Sequence, residues 1–392
     1  MNDYDDLVLS DVHVGKKTTV CADSSVSRFY FQMPKYQLKY IQCSSSQNSV
    51  ELHSNRSIQC DEDGDIEIIS RKGKDLSKVE NRKNVHSRRQ SDITSLKDNF
   101  HCSLAERPLP GMVDLSETLD KCIEVVTLKH SMATPLHNVG KQIWRGALLL
   151  ADYILHNSIE FREACCIELG AGVGLCSIVA GMFANTVYCT DIGDDILCIC
   201  KENVDANDHL FKKGATVNVR KLNWVDNIFV SQDKLVQLGQ LSSCEVLDEA
   251  RLLFNWSCSD IKKIDDFCLI LAADVIYDEY LTEKLFETII KMLTFQENPS
   301  GNKRNHLKKI VISVEKRLNF TLIDQDVSCP AYNHFRSTLE KLVMSDSKRF
   351  PSLKGLQGKF HVQEIVKSID QYFDYERVKE LELWLIIYRN DY

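Results

Sequence analysis

The sequence predicts an α/β fold in which helices cover both faces of a mostly parallel sheet, preceded by a small β-rich region. Three observations support this prediction. From about residue 119 onward, apolar segments of strand length alternate with segments of helical spacing, which is typical of βαβ units. A glycine-rich stretch from Gly170 to Gly174 directly follows one apolar segment. A carboxylate, Asp191, ends the next apolar segment about twenty residues further along.

The alternation can be followed element by element. Apolar runs predict strands, and apolar positions three and four residues apart predict helices. The predicted strands cover residues 122–126, 165–169, 186–189, 216–222, 267–272, 309–314 and 381–388, and the predicted helices cover 142–155, a segment after Gly174, 194–206 and 282–293. Residues 225–264 have no clear place in this alternation, so we interpret them as an insertion.

Composition predicts three parts in this chain of 392 residues. Residues 1–70 contain short β-like runs separated by turn residues, and we expect a β-rich N-terminal region there. Residues 71–118 are polar and short of large apolar side chains, which is typical of a flexible linker. Residues 119–392 carry the alternation and form the predicted main domain. The acidic stretch 61–65 is interpreted as a hairpin turn, because its glycine falls two positions too early for a calcium loop.

The charge of the chain bears on its partners. Its formal net charge of −8 argues against a protein that wraps nucleic acid, so we expect no direct nucleic-acid binding. An acidic protein is compatible with a basic protein substrate. The linker is locally basic, as at Arg82-Lys83 and Arg88-Arg89. These clusters fit either a solvated linker or a nuclear-import signal.

Cysteine usage points to a reducing compartment. None of the 15 cysteines forms a paired CxxC element, so we expect no structural metal site. No apolar run approaches the length of a membrane span, and the acidic start of the chain does not resemble a signal peptide. Many reduced thiols without a secretory signal indicate the cytosol or the nucleus.

The glycine stretch is a candidate cofactor loop. Glycines allow a sharp turn and a close approach of the backbone to a ligand, and the amides of the following helix can hold a negative group. The spacing is GxGxG, whereas a dinucleotide fingerprint would require glycine at Leu175. Taken alone, the loop fits either a nucleotide-like cofactor or a plain tight turn. The residues assigned to cofactor binding in it are Gly170, Ala171, Gly172 and Gly174.

Two carboxylates decide which cofactor fits the loop. Asp191 stands where a doubly wound sheet places a carboxylate that binds ribose hydroxyls, and Glu168 adds a second one just before the loop. S-adenosylmethionine carries a sulfonium and an ammonium group, which two anions would stabilise. A nicotinamide dinucleotide would place a pyrophosphate unfavourably beside Glu168. Trp224, beyond the third strand, is either an adenine contact or a packing tryptophan.

The end of the fourth predicted strand is a candidate reaction centre. Residues 267–272 run directly into Ala273, Asp274 and Tyr277 at the edge where α/β sheets place their chemistry. Methyl transfer from a sulfonium requires a neutral nucleophile held in line. A free lysine has a pKa of about 10.4, so it must lose a proton first. We expect Asp274 and Tyr277 to orient such an amine, although Asp274 also fits a helix cap or a loop residue.

Together these residues resemble the seven-β-strand methyltransferases and, among them, the family 16 protein-lysine methyltransferases. The element Asp274-Val275-Ile276-Tyr277 resembles the DxxY motif of that family, and Trp144 resembles its tryptophan that packs on the cofactor. Asp191, Trp224 and Ala273 match its ribose, adenine-edge and post-strand positions. Residues 130–136, 140–155 and 313–322 resemble one member of the family most closely, as do the patches 9–13 and 61–65. Val173 replaces a threonine that is usual in the loop.

The resemblance implies a Rossmann-like seven-stranded sheet, S-adenosylmethionine as cofactor and transfer of a methyl group to a protein lysine. It further implies a nuclear enzyme, with the cytoplasm as a second location. The implied substrate is a basic nuclear protein, a nucleic-acid-binding zinc-finger protein of the Kin type. We expect a monomer that does not bind membranes. Two alternatives remain open. One is a methyltransferase for small molecules or nucleic acid, and the other is a methyltransferase fold that binds a partner without catalysis.

Overall fold

The computed structural model describes residues 7–10, 12, 19–21, 24–34, 123–226, 253–263, 266–294, 308–321, 326–344, 348, 350, 353, 358–366 and 369–390. Several predictions lie outside these residues: the acidic turn at 61–65, the linker at 71–118 and most of the insertion at 225–264. The three domain boundaries therefore stay predictions.

The described residues form strands and helices in an alternating order. The strands are β1 Leu7–Leu9, β2 Thr19–Cys21, β3 Ser24–Gln32, β4 Ile123–His130, β5 Ala133–Pro135, β6 Cys165–Leu169, β7 Thr186–Asp191, β8 Thr216–Lys221, β9 Phe267–Ala273, β10 Lys308–Glu315, β11 Asn319–Thr321, β12 Asp326–Ser328, β13 Gly358–Glu364 and β14 Leu381–Asn390. The helices are α1 Arg145–His156, α2 Ser158–Phe161, α3 Leu175–Gly181, α4 Asp194–Ala206, α5 Cys258–Lys262, α6 Glu279–Thr294 and α7 Pro330–Val343, with 3₁₀ turns at Leu136–Lys141 and Asp208–Leu210.

A seven-stranded sheet forms the centre of the fold, in the order β13-β14-β10-β9-β6-β7-β8. The five strands from β10 to β8 are parallel. Strand β14 runs antiparallel to both of its neighbours, β10 and β13, so the edge strand β13 has the same direction as the five. The predicted α/β class with a mostly parallel, seven-stranded sheet is thus confirmed. The chain passes from β6 outward to β8 and then returns to β9 on the other side of β6. In open α/β sheets, ligands bind at the carboxyl ends of the strands beside such a reversal.

Alternating side chains of the strands divide the apolar core between the two faces of this sheet. Cys166 packs with the cluster that contains α1, α3 and α4, whereas Ile167 packs with the cluster that contains α6 and α7. This division follows from the two-residue period of a strand. Both faces are covered, which explains why the central strands β6 and β9 are largely apolar.

A smaller sheet, β2-β3-β4, attaches to the side of α4. Strands β3 and β4 pair antiparallel from Ser25 opposite His130 to Gln32 opposite Ile123. Asn207, just after α4, accepts from the Thr127 amide at 3.0 Å and donates to the Thr127 carbonyl at 2.7 Å. Asn203 makes the same pair of hydrogen bonds with Lys129, at 2.7 and 2.9 Å. Two side chains one helical turn apart therefore satisfy the free backbone groups of β4.

No helix in the described part of the chain combines the length and the hydrophobicity that crossing a membrane requires.

Candidate active site

A cavity of about 490 Å³ opens at the carboxyl ends of β6, β7 and β9, beside the reversal of strand order. Its size lies in the range of small-ligand sites. Ten of the residues predicted for the site line this cavity: Trp144, Glu168, Gly170, Ala171, Gly172, Asp191, Trp224, Ala273, Asp274 and Tyr277. The cavity is also lined by residues that were not assigned to the site from the sequence: Leu136, His137, Val139, Gly140, Gln142, Ile143, Ala147, Val173, Leu175, Ile192, Ile196, Leu222, Asn223, Val275 and Leu281.

The glycine loop is shaped by left-handed backbone conformations at Gly170 and Gly172, with φ of +70° and +54°. A Cβ on Gly172 would lie 2.7 Å from the carbonyl oxygen of Gly140, and one on Gly170 would lie 2.6 Å from Cγ1 of Val275. Only glycine therefore fits at either position. Because these two residues carry no side chains, a ligand in the cavity could approach the loop backbone closely.

Gly174 has a different place from the other loop glycines. It precedes α3 in a left-handed conformation with φ of +91°, and it is not among the residues that line the cavity. A Cβ on it would lie 2.9 Å from Sγ of Cys200 in α4. Gly174 thus allows α4 to pack closely against the start of α3, and the structure does not bring it to the cavity wall with the other predicted residues.

Asp191 ends β7 and is tied to the loop. Its Oδ2 accepts from the Gly172 amide at 2.9 Å, and its Oδ1 accepts from the Ile192 amide at 2.7 Å. Burial raises the pKa of this carboxyl. Each carboxylate oxygen has a second acceptor site, which leaves Asp191 able to accept from a hydroxyl of a bound ligand.

Glu168 is almost fully buried one residue before the end of β6. The Ser177 hydroxyl donates to its Oε2 at 2.5 Å. Burial, with a smaller contribution from Asp191, raises the pKa of Glu168 to about 7. The carboxyl is therefore poised near neutral pH, and a cation bound in the cavity would favour its ionised form.

Aromatic and aliphatic side chains form the apolar part of the cavity. Trp224, three residues after β8, is half-buried, and Cζ2 of its indole would lie 3.4 Å from a Cβ on Gly170. Leu222, Val275 and Leu281 also line the cavity. The flat ring beside a backbone without side chains provides a surface for a planar base.

Trp144 is fixed on two sides where it enters the cavity. Its Nε1 donates to the Val139 carbonyl at 3.0 Å, and the guanidinium of Arg317 lies 4.9 Å from the centre of its ring. Arg317 also approaches Glu315, with 3.6 Å between guanidinium nitrogen and carboxylate oxygen. These contacts hold the indole in one orientation.

Asp274 follows β9 in a left-handed conformation, with φ of +52°. Its Oδ2 accepts from the Gly146 amide at 2.7 Å, and its Oδ1 accepts from the Glu315 amide at 2.8 Å. Burial raises the pKa of Asp274, whereas the charge of Arg317 opposes that rise. The carboxylate therefore joins the first turn of α1 to the end of β10. Its predicted role in orienting an amine stays a prediction, and the structure adds this bridging role.

Tyr277 lies at the mouth of the cavity with 51% of its surface exposed. Burial of its inner part, with the negative charge of Asp191 next in size, raises the pKa of its hydroxyl, so the phenol stays protonated at neutral pH. Ala273, the last residue of β9, lines the cavity between Asp274 and the strand. A partly exposed phenol at the opening is accessible to a side chain that enters from outside.

Two parts of the site left no sequence signal. Residues Leu136–Lys141 form a wall of the cavity as a short 3₁₀ turn, which has too few residues for a recognisable period. Gly146 accommodates the Asp274 carboxylate, because a Cβ there would lie 2.5 Å from Cγ of Asp274. From the sequence alone, a glycine in a helix does not show that a distant side chain, here Asp274, packs against it.

Comparisons with known proteins bear on the family to which the chain belongs. A family model described as lysine methyltransferase matches residues 125–244. The chain is 36% identical to methyltransferase-like protein 22 of Homo sapiens over 84% of this chain and 70% of that protein. It is also 35% identical to the protein N-lysine methyltransferase METTL21A of Mus musculus over 23% of this chain and 40% of that protein. An O-methyltransferase from Bacillus cereus, solved with SAH, aligns with a TM-score of 0.31 and 12% identity over 62% of this chain and 80% of that chain, a likeness too low to support a conclusion.

The residues of the cavity fit S-adenosylmethionine, which is the cofactor. Asp191 would accept from the ribose hydroxyls, and Glu168 supplies a buried carboxyl whose ionised form a cationic ligand stabilises. The loop at Gly170 and Gly172 leaves room for a ligand against bare backbone, and Trp224 offers a face for the adenine. With this site, the lysine methyltransferase model and a relative similar over most of both chains, the protein belongs to the lysine methyltransferase family.

Proposed function

We propose that this protein transfers a methyl group from S-adenosylmethionine to the side-chain amine of a lysine in a protein substrate. The observation that carries the proposal is the position of Asp274 and Tyr277 on the lining of the cavity, with Tyr277 half exposed at its opening. A long, unbranched side chain could enter past Tyr277 and reach the cofactor. The names of two relatives, protein N-lysine methyltransferase METTL21A and EEF1A lysine methyltransferase 3, describe enzymes that act on protein lysines.

The reaction would depend on placement of the amine more than on covalent help. The cofactor supplies an electrophilic methyl group on a sulfonium. The amine must be neutral and in line with that methyl, and an oriented approach contributes much of the rate. The Asp274 carboxylate, fixed by two backbone amides, presents a negative charge of defined position to the amine before it loses its proton. The ring of Tyr277 would limit the directions from which the amine approaches.

The substrate is proposed to be a basic nuclear protein that binds nucleic acid, of the Kin type. The net charge of −8 supports a basic partner, since opposite charges favour encounter. The proposed enzyme is a monomer in the nucleus, with the cytoplasm as a second location. It would not itself bind nucleic acid or membrane.

Mass spectrometry tests this proposal. Nuclear extract and a purified Kin-type protein would be incubated with the enzyme and S-adenosylmethionine that carries a deuterated methyl group. We expect the heavy methyl group on lysine side chains, and none when Asp191→Ala enzyme replaces the wild type. Label in the nucleic-acid or small-molecule fraction, or no transfer by an enzyme that binds S-adenosylhomocysteine, would contradict the proposal.

A further inference from the structure

One wall of the cofactor cavity has no apolar anchor of its own. Residues Leu136–Lys141, the wall segment, form a 3₁₀ turn with a kink at Asn138, and none of the six residues is buried. Leu136, His137, Val139 and Gly140 nevertheless line the cavity. A backbone segment without buried side chains gains little from the hydrophobic effect, so other contacts must fix its position.

The contacts on the cavity side are few. A Cβ on Gly140 would lie 2.9 Å from Cδ1 of Ile196, which shows that the wall packs closely on α4. Lys141 forms an ion pair with Asp195, a residue that is half exposed, and such surface pairs contribute little. The indole of Trp144 donates to the Val139 carbonyl. The Ser131 amide also donates to the Lys141 carbonyl at 2.8 Å. These contacts hold the middle and the end of the wall segment but not its approach from β5.

That approach is held by the start of the chain. Strand β1 pairs antiparallel with β5, from Leu7 opposite Pro135 to Leu9 opposite Ala133. The Ser10 amide donates to the Met132 carbonyl at 2.8 Å. In the described part of the chain, β1 pairs with β5 alone and with no strand of the central sheet.

The same residues also hold the far end of the wall segment. The Ser10 hydroxyl donates to the Ile143 carbonyl at 3.2 Å. The Gln142 side chain donates to the Val8 carbonyl at 2.8 Å and to the Thr134 hydroxyl at 2.7 Å. Val12 is 5% exposed and belongs to the same apolar cluster as Ile143. Residues 7–10 and Val12, the N-terminal clamp, thus contact the chain both before and after the wall segment.

We propose that the N-terminal clamp positions the wall of the cofactor cavity and thereby sets the affinity for the cofactor. It does so from more than a hundred residues away in the sequence, without touching the cofactor. A wall held in its binding conformation before the ligand arrives removes an ordering cost from binding. Loss of the clamp would leave the central sheet intact and allow the wall segment to move.

Two substitutions test the clamp without truncating the chain. Ser10→Ala removes the hydroxyl that binds Ile143, and Val12→Ala removes the buried side chain by which the clamp joins the apolar cluster of Ile143. Neither side chain lines the cavity. Leu9→Ala is the matched control, because Leu9 belongs to the clamp and directly precedes Ser10, with 68% of its surface exposed.

Amide hydrogen exchange of the cofactor-free protein and calorimetry with S-adenosylhomocysteine are the measurements. In the combined variant we expect faster exchange across residues 136–144, unchanged exchange in β6 and β9, and about tenfold weaker binding, since a hydrogen bond and a buried apolar side chain that hold the wall are lost. Wild-type exchange in 136–144, or faster exchange there with undiminished affinity, would overturn the proposal. Faster exchange throughout the central sheet would overturn it as well, because the clamp would then support the whole fold. Neither measurement involves a methylated substrate, so the result is independent of which protein is methylated.

Discussion

Replacement of Asp274 by asparagine separates the bridging role of this residue from a role in orienting the amine. The substitution keeps the size of the side chain but removes its charge and replaces one acceptor oxygen with an amino group. In the wild type, both oxygens accept from backbone amides, those of Gly146 and Glu315. In the variant, one of these buried amides must face another donor. Asparagine tolerates the left-handed backbone at this position, so backbone strain adds little.

The expected cost follows from that lost hydrogen bond. A hydrogen bond to a charged group contributes about 1.5–3 kcal/mol, and an unpaired buried amide costs a further 1–3 kcal/mol, roughly. Removal of a buried charge offsets part of this, because burial disfavours the ionised carboxyl. We expect the free energy of unfolding to fall by about 2 kcal/mol, which corresponds to a decrease in melting temperature of about 4–8 °C for a domain of this size.

Thermal unfolding, calorimetry with S-adenosylhomocysteine and single-turnover rates would be compared for Asp274→Asn and for Glu279→Gln. The control removes the same charge at a residue whose side chain is 59% exposed. We expect the melting temperature, cofactor affinity and turnover of Asp274→Asn all to fall, because α1 begins at the Gly146 contact beside Trp144. Loss of turnover alone, with wild-type melting temperature and affinity, would refute the bridging role. Wild-type turnover would remove Asp274 from the active centre.

Four further predictions concern the cavity. Because burial raises the pKa of Glu168 to about 7 from 4.5, its contribution to stability is present below about pH 4.5 and is lost as the pH rises through about 7, and Glu168→Gln should remove that dependence in pH-resolved thermal melts. For the same reason, affinity for S-adenosylmethionine should increase between about pH 6 and 8, more than affinity for the uncharged sulfur of S-adenosylhomocysteine, as calorimetry at each pH would show. Gly172→Ala should weaken cofactor binding at least tenfold, a rough figure for a backbone clash with the Gly140 carbonyl, and normal binding would contradict the loop geometry. Tyr277→Phe should lower the single-turnover rate less than Asp274→Asn does, since it keeps the ring that limits the approach of the amine and removes no charge. A loss equal to that of Asp274→Asn would show that the hydroxyl contributes as much as the Asp274 carboxylate.

Local sequence signals predicted the elements of the central sheet well. The predicted strand 165–169 and helix 194–206 coincide with Cys165–Leu169 and Asp194–Ala206. Both predictions rest on apolar patterns within a short stretch of sequence, which local residues alone determine. The helix predicted from residue 282 begins earlier, at Glu279. The Leu281 amide donates to the Asp278 carboxylate at 2.7 Å, and this capping contact starts the helix before its apolar face becomes visible in the sequence.

Contacts between distant segments could not be predicted in the same way. The pairing of β3 with β4 joins residues about a hundred positions apart, and the register of such a pair depends on the whole fold. The bridge from Asp274 to Gly146 spans 128 positions. Neither the strand pairing nor the Asp274 bridge produces a periodic apolar pattern or a turn motif in the sequence. The N-terminal clamp belongs to the same class, since Ser10 and Ile143 are 133 positions apart.

The predicted site came together because the carboxyl ends of parallel strands meet at one edge of a sheet. Glu168, Asp191 and Asp274 lie within one residue of the carboxyl ends of three neighbouring strands, and all three line the cavity. Gly174 is the exception. A glycine that lets two helices pack and a glycine that faces a ligand look alike in a sequence, and only the position of Cys200 distinguishes them.

The most direct test of the cofactor site is calorimetric titration of S-adenosylhomocysteine into the wild-type protein and into Asp191→Ala. Asp191 would accept two ribose hydroxyls, each contributing roughly 1.5–3 kcal/mol as a hydrogen bond to a charged group. The account predicts binding at a single site in the wild type and at least a tenfold weaker affinity in a variant whose cooperative melting shows it to be folded. Equal affinity in the wild type and a folded Asp191→Ala protein would contradict the assignment of this cavity to the cofactor.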